Sequence, residues 1–248
     1  MKILVCISSV PDTTAKIEFT NGGTELDKNG VQFVINPYDE FCLTRAIWFQ
    51  EKQGAKITIL TIGDVSVEPV MRKALAIGAD DAIRVNADPK DSLFVAKQIA
   101  KVAKEGEFDI ILAGKESIDY NGGAVPGMVA ALLGYGFVNA CIGLEIDAAN
   151  VTALREIDGG KESIKTQLPI VIAGQKGIVE ESELKIPNMR GIMQARTKSL
   201  SVVEPEATEQ KIKLVGFTKP ASRSAVKLVD PNNIKELVRM LREEAKAI

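Results

Sequence analysis

The chain has 248 residues, 46% hydrophobic and 26% charged, and its 31 basic and 33 acidic side chains leave a net charge of −2. That length accommodates one large α/β domain with an appendage and buries a real core. The near-balanced charge gives no electrostatic ground for a nucleic-acid or membrane-surface partner. Histidine is absent, and Cys6, Cys42 and Cys141 lie far apart without CxxC spacing. This removes Ser-His-Asp and Cys-His nucleophiles, most zinc catalysis and a disulfide framework. No catalytic or metal-ligating set is expected, and the cysteines are read as small apolar packing residues. No apolar run nears the roughly 20 residues of a bilayer span. The opening MKILVCISSV is too short and strand-like for a signal peptide, so a cytoplasmic protein is expected.

Apolar strands alternate with helical patterns through the first 135 residues. Residues 2–7 suit a buried parallel strand, 39–53 have helical periodicity, and 57–62 return to strand. Residues 67–77 place Val67, Val70, Met71, Ala74 and Leu75 on one helical face, with Gly78 as the stop. Then follow a strand at 82–85, a helix at 92–104, a strand at 110–113 and a helix at 123–133. This βα alternation predicts a doubly wound, mostly parallel, Rossmann-like sheet with helices on both faces. Segments near 138–147 and 151–157, and the run 162–174, look antiparallel and extend that sheet. After about residue 176 the periodicity fades until a last amphipathic helix, with Pro231 near its start and Ile234, Leu237, Val238 and Leu241 on one stripe. Residues 1–185 are read as the α/β domain and 186–248 as a loop and arm. The arm lies on a partner chain or folds back on its own domain.

In open parallel sheets, ligands bind beyond the carboxyl ends of the strands, where strand order reverses. Four segments fall there: Cys6-Ile7-Ser8-Ser9; Asn36-Pro37-Tyr38-Asp39, with Asn36 as a helix cap and Pro37 in the first turn; Ile62-Gly63-Asp64; and the stretch from Gly114 to Pro126. In the last, Gly122 and Gly123 let the backbone approach a ligand just before a helix. The N–H groups of Ala124 and Val125 suit a phosphate, and Pro126, which has none, suits the first turn. The plainer alternative is a simple turn, with Lys115 a solvated charge and Asp119 a cap. Neither GxGxxG after the first strand nor GxxxxGK[ST] occurs, so no NAD-type or NTPase-type phosphate loop is expected.

Residues 153–173, ALREIDGGKESIKTQLPIVIA, read as a β-hairpin turning at Asp158-Gly159-Gly160. Arg155, Asp158-Gly159-Gly160, Glu162, Ile164 and then Pro169 ahead of an apolar strand form a more specific pattern. It resembles the signature of the electron transfer flavoprotein β-subunit family, and the likeness extends from the first strand through ALAIGADDAIRV (74–85) to the final helix. The resemblance implies an electron carrier rather than an enzyme, working with an α subunit that supplies most of an FAD site. This chain would contribute a wall from residues 10–14, Thr13 among them. It further implies a pocket for AMP, or for a second FAD in the electron-bifurcating branch. That pocket would be lined by Cys6, Asn36, Pro37, Tyr38, Asp39, Ile62, Gly114, Lys115, Ser117, Asp119, Asn121, Gly122, Gly123, Ala124 and Val125.

The chain departs from the family at Asp119-Tyr120-Asn121-Gly122-Gly123-Ala124-Val125, where many members carry hydroxyl and amide side chains. Backbone amides must then do more of the phosphate binding. By resemblance, residues 186–196 form a recognition loop for acyl-CoA dehydrogenases, with Met189 as apolar anchor beside Arg190 and Ile192. Electrons of fatty-acid β-oxidation would pass on to a membrane quinone oxidoreductase or another acceptor. From the residues alone, the same loop is a short helix with Ile192 and Met193 packed on the core. A universal-stress-type nucleotide-binding homodimer and an adenylating enzyme relying on Ser8-Ser9 are the rival readings.

Overall fold

The computed structural model describes residues 1–89, 91–222 and 225–248. Its strands are β1 (Lys2–Cys6), β2 (Ser9–Pro11), β3 (Phe19–Thr20), β4 (Glu25–Leu26), β5 (Phe33–Ile35), β6 (Lys56–Ile62), β7 (Asp81–Val85), β8 (Ile110–Gly114), β9 (Gly136–Asp147), β10 (Asn150–Ile157), β11 (Gly160–Gln167), β12 (Ile170–Gly174) and β13 (Leu200–Val203). Its helices are α1 (Pro37–Gln53), α2 (Glu68–Ile77), α3 (Ser92–Gly106), α4 (Val125–Leu133), α5 (Met189–Ala195) and α6 (Ile234–Arg239), the last continuing as a π-helical turn, Met240–Glu244. Among the described residues no helix is long and apolar enough to cross a membrane.

Nine strands form one sheet in the order β11-β10-β9-β12-β8-β1-β6-β7-β13, and two short antiparallel pairs, β2-β5 and β3-β4, lie outside it. The apolar opening KILVC explains the centre. Ile3 and Val5 face a core shared with α1 and α2, while Leu4 and Cys6 face one shared with α3 and α4. A strand covered on both faces has no polar side to show, hence the unbroken apolar run. The chain leaves β1 through α1 to β6 on one flank and returns through α3 to β8 on the other, so strand order reverses between β1 and β8. Pro37 opens α1, Asp39 and Glu40 lie in its first turn, and Gly54 in the left-handed region closes it on the carbonyls of Gln50 and Phe49.

Two segments depart from the sequence reading. The run 162–174 is antiparallel only as far as Gln167. Beyond Pro169, β12 crosses back to lie parallel between β8 and β9, and all five of its residues are buried. A strand that leaves the hairpin for the sheet interior needs apolar residues on both faces, which IVIAG supplies. After residue 185 the short helix read within 186–196 forms as α5, and the departure is a strand that the sequence reading lacks. Helix α5 packs on α2, and β13 pairs in parallel with β7 from Leu200↔Ala82 to Val203↔Val85. A four-residue edge strand is too short to display a period.

Beyond Val203 the chain runs over its own body. Gln98 exchanges hydrogen bonds with the backbone of Glu206 (2.7 and 3.0 Å), and the Lys211 N–H donates to Asp91 at 2.9 Å. Val215, Val226 and Leu228 remain 88, 82 and 91% exposed, and the Ile234, Leu237 and Val238 stripe of α6 is also open to solvent.

Candidate nucleotide site

Because Pro37 starts α1 directly after β5, Asp39 falls in its first turn and reaches across the crevice where strand order reverses. Its Oδ2 accepts the Ser8 N–H at 2.8 Å and its Oδ1 accepts the Gly114 N–H at 2.7 Å. One carboxylate thus ties the end of β1 to the end of β8. Burial pushes the Asp39 carboxyl up to about 7, opposed by the N–H groups of Ser8 and Gly114 and by the Asn36 side chain. Burial, and then the neighbouring Asp39 charge, push the Cys6 thiol up as well, so Cys6 packs here as a neutral wall. Gly114 is the position that admits this clamp. A Cβ there would lie 2.5 Å from Tyr38 Cβ and 2.6 Å from Asp39 Oδ1.

Asn36 occupies the N-cap position of α1, but its side chain does not cap the helix. Instead Nδ2 donates to the Glu116 carbonyl at 2.9 Å and Oδ1 accepts the Ile118 N–H at 3.3 Å. The loop leaving β8 has half-buried backbone groups that need partners, and this amide provides a donor and an acceptor together. The Lys115 N–H donates to Gly174 at 2.8 Å, and its ammonium stands 5.4 Å from the Tyr38 ring centroid, so it is a stacked charge rather than a freely solvated one. The Ser117 hydroxyl and the Tyr120 N–H both donate to Asp119, which therefore shapes the loop and does not cap α4. The Ser117 N–H closes the loop on the Gly122 carbonyl at 3.2 Å, with Asn121 at φ 50° in the turn.

Gly123 and Ala124 are exposed, and α4 begins at Val125 with Pro126 in its first turn and no side chain capping it. Its first-turn N–H groups are therefore open to an anion, and this arrangement fits a nucleotide phosphate held by backbone amides. Ile62 closes β6 half-buried on the neighbouring strand, and Asp64 beyond it caps a short turn through the Ser66 N–H. Thr13 stands apart from this hydrogen-bonded cluster, exposed in the turn that Asp12 shapes by accepting from Thr14. Ser8 and Gly174 join the site through backbone groups alone, which no side-chain pattern in the sequence signals, while Glu116 contributes both its carbonyl and a carboxylate that accepts from the Tyr38 hydroxyl.

At the opposite flank, α5 is capped by Asn188, whose side chain accepts the Gly191 N–H at 2.8 Å. Arg72 donates to the carbonyls of Ala195 and Lys198, both at 2.8 Å, and Lys198 donates back to those of Leu75 and Ala79 at 3.0 and 2.6 Å. The helix is bolted to α2, yet its apolar side chains point away. Met189 is 75% and Met193 68% exposed, Arg190 and Ile192 are also exposed, and Ala195 is the residue that is buried. The expectation that Ile192 and Met193 pack on the core is corrected. The close fit of Gly191 against the Ala76 carbonyl brings the backbones together and leaves no room for larger groups between them. Ile186, three positions before Met189, is also 81% exposed and was not singled out from the sequence.

The chain matches the electron transfer flavoprotein domain family over residues 24–208. It is 34% identical to the electron transfer flavoprotein subunit beta of Bacillus subtilis (strain 168), covering 100% of each chain. It is 36% identical to that of Syntrophomonas wolfei, covering 93% of this chain and 90% of the relative. The mitochondrial subunit beta of Oryza sativa is 30% identical, again with 100% of each chain covered. With a mostly parallel sheet covered by helices on both faces, a strand-order reversal between β1 and β8 and full-length likeness to these relatives, the chain belongs to the electron transfer flavoprotein β-subunit family.

Proposed function

We propose that this chain binds an adenine nucleotide, AMP, in the β1–β8 crevice and joins an α subunit to hold the FAD that carries electrons. In this reading it works in the cytoplasm, accepts electrons from acyl-CoA dehydrogenases through the Met189 face, and passes them to a membrane quinone oxidoreductase. Residues 1–185 hold the nucleotide, and 186–248 meet the partners. The observation that carries the nucleotide reading is the Asp39 clamp across the strand-order reversal, set beside the uncapped first turn of α4. The side chains here hold backbone in place and leave the redox chemistry to a flavin, which when bound supplies the electron-accepting ring.

The test is to co-express the chain with its α subunit, purify the complex, release bound nucleotides with acid and identify them by chromatography. One FAD and one AMP per heterodimer are expected. Two FAD and no AMP would assign the second flavin to this crevice and the complex to electron bifurcation. A colourless homodimer would overturn the reading in favour of a nucleotide-sensing module.

A further inference from the structure

The tip of the nucleotide loop touches the arm. Phe217 of the arm stacks on Phe19 with ring centroids 4.7 Å apart and parallel planes, and its ring centroid lies 6.2 Å from that of Tyr120, tilted by 39°. Both distances fall within the range of attractive aromatic pairs. The Phe217 N–H also donates to the Gly23 carbonyl at 2.6 Å, and Lys219 pairs with Glu18. Gly23 has φ 88°, and a Cβ there would lie 3.2 Å from the Phe217 carbonyl, so glycine lets the arm approach this closely. The arm is therefore seated on the β3–β4 hairpin by a ring stack, a backbone hydrogen bond and an ion pair, and from that seat Phe217 meets Tyr120.

Tyr120 matters because the loop tip has few other ties to the body. Asn36 fixes Glu116 and Ile118, while the bonds of Ser117, Asp119 and Gly122 join the loop to itself. Tyr120 lies between these internal bonds and the glycines that precede α4, and its ring reaches another segment.

We propose that Phe217 is a positioning residue for the nucleotide loop. Seated on Phe19 and Gly23, it props Tyr120 and so holds the loop in the shape that presents the first turn of α4 to an adenine nucleotide. The proposal rests on the nucleotide reading above. Because coupling between two binding events is reciprocal, a nucleotide that is held more tightly by the seated arm must seat the arm by the same factor. Occupancy of the crevice would then set the position of the arm that carries Val226, Leu228 and α6. An aromatic contact of this kind corresponds to roughly a 2- to 12-fold effect on an equilibrium.

The test uses the complex co-expressed with the α subunit, loaded with AMP, and follows AMP release and trypsin cleavage of the arm. Phe217→Ala and Tyr120→Ala should each release AMP about 3- to 10-fold faster. The double variant should be no faster than either single one, because both remove the same contact. Phe217→Tyr should restore slow release. Phe217→Leu, which keeps an apolar side chain on the hairpin, should remain fast. AMP should slow cleavage of the arm in the wild type and not in Phe217→Ala. Independent, additive effects of the two alanine variants, or unchanged release from Phe217→Ala, would overturn the latch while leaving the nucleotide site standing. A wild-type complex that neither retains nor rebinds AMP would overturn the nucleotide reading, and the latch with it.

Discussion

Asp39 Oδ1 and the Gly114 N–H, 75 positions apart in sequence, meet at 2.7 Å, and a Cβ on Gly114 would come within 2.6 Å of that same oxygen. The hydrogen bond and the missing side chain are one device, since neither residue can change without disturbing the other. Replacing Gly114 by alanine should force Asp39 and Tyr38 aside and break the tie between β1 and β8. A loss of about 1–3 kcal/mol is expected, as for overpacking of a closed core. Urea denaturation should show it, together with reduced nucleotide recovery after acid release. Full stability with full occupancy would mean that the clamp is dispensable.

Asp39 also sets a pH dependence. Its carboxyl is raised to about 7 in the fold by burial, against roughly 3.9 in an unfolded chain. Between those values the folded state holds a proton that the unfolded state has released, so stability falls as pH rises from about 4 through about 7 and then levels off, with a slope of at most about 1.4 kcal/mol per pH unit. Asp39→Asn cannot titrate. Denaturation midpoints measured at pH 5 and pH 8 should therefore converge in the variant relative to the wild type. Equal pH dependence in both proteins would place the titrating group elsewhere.

Met189→Ala should leave the folding stability within about 0.5 kcal/mol of wild type, as expected of an exposed side chain. In a coupled assay with an acyl-CoA dehydrogenase, the apparent KM for the flavoprotein complex should rise about 5- to 150-fold, the range for losing an apolar anchor. Lost stability with unchanged kinetics would make Met189 a packing residue and remove the docking role.

Arg72→Met should behave differently. It removes donors from the carbonyls of Ala195 and Lys198, at a cost of about 1–3 kcal/mol for acceptors left without partners. Stability and docking should then fall together, because the platform under Met189 loosens. An unchanged melting temperature with impaired docking would separate the platform from the surface it carries.

The parallel core was legible because its strands are buried on both faces, which writes continuous apolar runs into residues 2–7, 57–62 and 110–113. The hairpin was legible because Asp158-Gly159 leaves little choice of backbone, and Gly159 does adopt φ 82°. What escaped were features without a local signature. The strand β13 is four residues long, and the pairs β2-β5 and β3-β4 are shorter still. The return of β12 to the sheet interior is a tertiary choice that a short apolar run does not announce. In the site, segments at the switch point could be named from their order along the chain. That Asn36 would bridge a loop rather than cap its helix, and that Asp119 would bond within the loop, depends on groups about 80 residues distant or on local backbone geometry.

The position of β12 has a consequence for synthesis. The strand that ends at Gly114 is flanked by β1 and β12, and β12 is completed only at residue 174. A nascent chain that stops short of it leaves one edge of β8 bare, with Lys115 lacking the Gly174 carbonyl that fixes the start of the loop. Two-thirds of the protein must emerge from the ribosome before the crevice has its far wall. Until then the interior strands present an open, apolar edge of the kind that draws chaperones and promotes aggregation.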